Sequence, residues 1–153
     1  MTITRSLIAG TLAVATLAAG AGGALAAKPE SEHSGQFRET FFDDFIYDLC
    51  GIETMTTVTE RWTLTTYADG SQRFTNSRKF VPADTRIPIE YGAAMSTWDV
   101  NGVQTVHGSP IRLQVRGGGI VLLDAGFVSL SDDPTVHGPH PSLDLDLAEY
   151  YCP

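Results

Sequence analysis

The sequence predicts a mainly β domain: a small antiparallel meander closed as a barrel, with a two-sheet sandwich as the alternative and a short helix near its start. Three observations carry that prediction. Apolar and polar residues take turns along short segments, as in Ile111, Leu113 and Val115 against Arg112, Gln114 and Arg116, the period of a strand with one buried and one wet face. Asp69-Gly70 and Asn101-Gly102 stand between such segments as hairpin turns. The stretches between segments are too short for the crossover helices that parallel strands require. Closure is favoured over an open sheet because it removes unpaired edges.

Residues 1–27 read as a secretory signal peptide. Arg5 gives a short basic start, an uncharged run rich in Ala, Leu, Val and Gly follows from Leu7 to Leu25, and Ala24 and Ala26 flank a cleavage point. A run of about 20 apolar residues could also span a bilayer, but the small residues at its end suit a peptidase. Residues 28–36 are polar and are expected to be a flexible segment, leaving 37–153 as a single β domain. The exported part has 9 Lys plus Arg against 18 Asp plus Glu, because only Arg5 lies in the leader. Such an excess of acid repels nucleic-acid phosphates and anionic membranes, so neither is an expected partner unless a local basic patch intervenes. Arg73, Arg78, Lys79, Arg112 and Arg116 read as solvated strand positions.

Cys50 and Cys152 are the chain's two cysteines. In an exported protein an even pair is expected to be bridged, and this pair would draw the start of the folded region to the end of the chain. The two lack the spacing of a thiol-exchange motif and are too few for a soft-metal site.

The elements follow in order. Phe41, Phe42, Phe45, Ile46 and Leu49 recur at helical spacing, predicting a short helix over Asp43 to Leu49 ended near Gly51; an opening strand from Phe37 to Phe45 is the alternative. Glu53 to Tyr67 is rich in Thr and carries Val58, Trp62 and Leu64 on one parity, the mark of a strand. After the Asp69-Gly70 turn, Ser71 to Val81 returns with Phe74, Asn76, Arg78 and Phe80 on one face and Arg73, Thr75, Ser77 and Lys79 on the other. Pro82 to Pro88 reads as a connection. Glu90 to Val100 is the next strand, Val103 to His107 pairs back across Asn101-Gly102, and Pro110 opens a separate strand that ends at Gly117. Ile120 to Leu130 is apolar on both parities, Ser131 to Ser142 is a polar loop, and Leu143, Leu145 and Leu147 alternate with acids as a last short strand.

Taken together, FRETFFDDFIYDLCG, the Thr-rich strand, the Asp-Gly hairpin, RGGGIVLLDAG and the late cysteine resemble a group of uncharacterised secreted actinobacterial proteins. The resemblance implies an exported small β domain with one bridged cysteine pair and transfers no catalytic residue. A lipocalin-like barrel is an analogy of shape alone, and shape does not imply function.

Candidate chemistry is sparse. His137 and His140, with Asp132, Asp133 and His107, could be drawn into a zinc site, but Gly138 and Pro139 mark an ordinary turn and no metal is expected. Asp124 lies inside an apolar run, where a carboxylate must find hydrogen bonds or water. Glu60 or Glu90 could join it as an acid and base pair, the basis of an alternative reading as a secreted enzyme. No nucleophile elbow, HExxH or phosphate loop is present, so no catalytic residue is assigned and no cofactor expected. Trp62, Tyr67, Tyr91 and Trp98 could wall a pocket with Asp124 at its mouth, for a small apolar or carbohydrate ligand. The leading expectation is a secreted, noncatalytic binding or interaction protein, whose partner is an extracellular protein or such a ligand. A ligand-carrying barrel is the second.

Overall fold

The computed structural model describes residues 28–141 and 146–153. The expected leader, and Leu143 and Leu145 of the expected last strand, lie outside the described residues. Among the described residues seven strands form one antiparallel sheet in chain order: β1 (Pro29–Phe42), β2 (Met55–Tyr67), β3 (Gln72–Pro82), β4 (Ile89–Trp98), β5 (Gln104–Gln114), β6 (Ile120–Leu130) and β7 (Thr135–His137). Helix α1 (Asp44–Cys50) lies between β1 and β2, and α2 (Ala148–Tyr151) lies near the chain end.

The sheet is open, which corrects both the barrel and the two-sheet sandwich. All seven strands share one sheet, β1 pairs with β2 alone, and β7 pairs with β6 alone. Closure needs the two end strands to pair with each other along their length. Here the end strands have 14 and 3 residues, and one face is lined by Arg, Lys and Thr. The apolar cover comes instead from the helices.

α1 forms where the helical spacing predicted it. The buried Asp43 caps its start, accepting from the Ile46 N–H at 3.1 Å, and the Gly51 N–H closes its end on the Tyr47 carbonyl. Ile46 then meets Leu113 of β5, Leu122 of β6, Ile87 of the β3–β4 link and Tyr151 of α2 in a core at one end of the sheet. Phe45 packs edge-on against Tyr151, with ring centroids 5.2 Å apart. Cys50 and Cys152 are disulfide-bonded, with Cα atoms 5.4 Å apart, so the bridge fastens α1 to the chain end beside this core. A disulfide fits an oxidising compartment. Among the described residues no helix is long and apolar enough to cross a membrane.

Three elements differ from expectation. Residues 29–36, expected to be flexible, belong to β1 and pair with β2; the backbone ladder, not an apolar side-chain pattern, makes this strand. The two strands expected on either side of Pro110 are one, β5, because the ladder shifts register between Gly108 and Ile111 and Pro110 needs no N–H partner at such a bulge. β7 lies inside the segment expected as a polar loop.

The β3–β4 link carries a prediction. Arg86 donates from Nε to Asp84 Oδ1 at 3.0 Å and from Nη2 to Oδ2 at 2.6 Å, and its backbone N–H also reaches Oδ1. These bonds, the side-chain fork first, hold the Asp84 carboxyl down to about 2. Since the folded value lies below the unfolded one, whatever the fork contributes is complete above about pH 4, falls with pH, and is gone below the folded value. An NMR pH titration should find Asp84 at about 2 and find it returned toward an ordinary carboxylate value in Arg86→Gln; an unshifted wild-type Asp84 would show that the fork is absent in solution.

Candidate functional site

In an antiparallel ladder, residues directly opposite each other share a face. The register therefore assigns every paired charged residue of β1 to β6 from residue 31 onward. On the face that bears the helices lie Glu39, Glu60, Glu90 and Asp124, with Arg78 among them. The opposite, open face presents Arg38, Arg61, Arg73, Lys79 and Arg112, with Glu32 near one end. Strand pairing thus sorts the charges of an acidic chain by sign.

On the helix-bearing face Glu60 and Glu90 are engaged by neighbouring side chains. Buried Glu90 accepts from the Tyr151 hydroxyl at 2.6 Å, and its other oxygen lies 3.8 Å from Arg78 Nη2. Glu60 accepts from Asn76 Nδ2 at 3.0 Å. Asp124 is 2% exposed, opposite Ile111. Among the described residues no group of three or more His, Cys, Asp or Glu side chains is placed to hold a metal ion. His107 and His137 instead flank the Phe127 ring. Because Tyr151→Phe removes a hydrogen-bond partner from a buried carboxyl, it is expected to cost about 2 kcal/mol. Urea unfolding measures this, and a change below about 0.5 kcal/mol would mean that Glu90 finds an equal partner elsewhere.

The open face holds a groove of about 480 Å³, lined by Thr59, Arg61, Lys79, Tyr91, Ser109 and Arg112 with neighbouring backbone and side chains of β3 and β4. Tyr91 is its centre. Lys79 Nζ lies 5.3 Å and Arg112 Cζ 4.6 Å from the Tyr91 ring centroid, so the electron-rich ring face steadies two cations that would otherwise repel. Neither Arg61, Lys79 nor Arg112 forms an ion pair among the described residues; Arg78, which also borders the groove, turns to Glu90 on the other side. The floor is Gly92, and there glycine is required: a Cβ would stand 2.7 Å from the Pro110 carbonyl oxygen. That close approach accompanies the register shift between Tyr91 and Ala93 that brings Arg112 opposite Tyr91.

Of the five residues expected to wall a pocket, Tyr91 alone lines this groove. Trp62 stacks on Phe74 on the helix-bearing face, with centroids 6.2 Å apart, and borders a smaller hollow of about 310 Å³. Tyr67 lies under Arg73 at the end of β2, Trp98 sits opposite Gln72 and Gln104, and Asp124 is in the helix-bearing layer. Strand parity and register put these side chains on different faces or at different ends of the sheet. The cations were visible in the sequence, with Lys79 already on the parity of Ser77 and Thr75, but their convergence depends on the three registers that join β2 to β5. No protein-family model matches the chain, and no curated protein or solved structure is significantly similar to it.

Proposed function

We propose that this chain is an exported, noncatalytic binding protein that holds an anionic group of its ligand in the Tyr91 groove. One observation carries the reading. The groove's lining residues include four of the chain's ten Lys and Arg and none of its eighteen Asp and Glu, although the chain as a whole has a net charge of −8. Cations gathered in one groove without an acidic partner repel one another, which favours an anion there. The Tyr91 hydroxyl adds a hydrogen-bonding group suited to a sugar. The disulfide and the resemblance to secreted proteins support export. The hydrogen bonds that occupy Glu60 and Glu90 favour binding over acid and base chemistry.

The test is an NMR titration of the full chain with glucuronate at low ionic strength. Amides of Ser77, Lys79, Tyr91, Ala93 and Arg112 are expected to shift together. The doubly reversed variant Lys79→Glu with Arg112→Glu should lose the response while keeping its fold, and 1 M salt, which shortens screening to about 3 Å, should weaken it. Shifts scattered over the surface, or undiminished in the reversed variant, would refute the reading.

A further inference from the structure

The open face also specifies the shape of the anion. Arg38 pairs with Thr59, Thr59 with Lys79, Lys79 with Tyr91, and Tyr91 with Arg112. One row crossing five strands therefore reads cation, hydroxyl, cation, aromatic ring, cation. Neighbouring strands lie about 4.8 Å apart, so the backbone positions that carry the cations recur about every 10 Å along a line perpendicular to the strands. Resting on the anion-binding reading above, we propose that the row binds a linear acidic polysaccharide with one carboxylate per disaccharide, laid across the strands.

The repeat decides between polyanions. A spacing of about 10 Å is close to the length of two linked pyranose rings, so a carboxylate on every second sugar meets a cation at every second strand. The intervening neutral sugars meet the Thr59 and Tyr91 hydroxyls, two hydrogen-bonding sites. Nucleic acid is a poor match, since each strand of a duplex carries a phosphate about every 3.4 Å. Most of those charges would face no cation, above a protein whose remaining surface is acidic. Arg38 is the diagnostic residue: exposed on edge strand β1, it lies outside the residues that line the groove, so only a ligand long enough to span the row reaches it.

The experiment is calorimetric titration of the full chain with hyaluronan oligosaccharides, whose carboxylates alternate with neutral sugars. An octasaccharide is expected to bind on the order of tenfold more tightly than a disaccharide, because the linked carboxylates engage in turn. Arg38→Gln should weaken the octasaccharide roughly two- to fivefold, the scale of one exposed ion pair, and leave the disaccharide unchanged. Lys79→Gln and Arg112→Gln should weaken both. Equal affinities for the two lengths, with Arg38→Gln silent, would overturn the row while leaving the groove reading intact if glucuronate still shifts the groove amides; loss of both responses would overturn both. Equal binding of a neutral chitin octasaccharide or of octathymidylate would also overturn the proposal.

Discussion

With Cys50 and Cys152 both replaced by serine, the chain is expected to lose about 4 to 5 kcal/mol of folding stability, a large share of the roughly 5 to 15 kcal/mol that a domain has. The bond joins residues 102 positions apart, so its removal restores to the unfolded chain the freedom of nearly the whole domain. The folded side has little to set against that. Among the described residues the buried hydrophobic side chains are Ile46, Val58, Ile87, Leu113, Leu122 and Tyr151, a small core for a sheet of seven strands. Two of them, Ile46 and Tyr151, lie on the short helices that the bond fastens together. Urea unfolding of wild type and double variant measures the difference. A loss below about 1 kcal/mol would mean that packing of α1 and α2 alone holds the ends.

Asp43→Ala is expected to cost about 3 kcal/mol. The Asp43 side chain is fully buried and serves two elements at once: Oδ1 accepts from the Ile46 N–H, and Oδ2 accepts from the Thr56 hydroxyl of β2 at 2.5 Å. Losing the cap alone removes about 1 kcal/mol, and leaving a buried hydroxyl and amide without their acceptor adds roughly 1 to 3. Thr56→Val in the Asp43→Ala background should cost less than it does alone, since the hydroxyl has already lost its acceptor. Strict additivity of the two changes would show that Asp43 and Thr56 do not act as a pair.

These two sites show how differently parts of the fold were legible. The helix over Asp43 to Leu49 could be read from Phe45, Ile46 and Leu49 and from Asp43 and Gly51 at its ends, because capping and helical spacing are local. The Asp69-Gly70 turn was legible for the same reason, and Gly70 adopts a φ of +86°. β1 was not, since its pairing with β2 leaves no apolar alternation in Pro29 to Gln36. β5 was divided in error because Pro110 looks like a strand boundary until a bulge in the ladder accommodates it. The basic groove was hidden for a further reason. Arg61, Lys79 and Arg112 lie on three strands, Arg61 opposite Ser77 and both Lys79 and Arg112 opposite Tyr91, and no local pattern reports that arrangement.

By itself, the sequence determined the predominance of strand, the parity of residues along each strand, the two hairpin turns, the first helix and the pairing of Cys50 with Cys152. These follow from backbone preferences and side-chain periods acting over a few residues, or from there being a single pair of cysteines. Tertiary structure alone decided that the sheet stays open, that acids and bases take opposite faces, and that Tyr91 comes to lie between Lys79 and Arg112. Each of those depends on which residues stand opposite across strands far apart in the chain, and a register shift of one position would turn the same side chains to the other face.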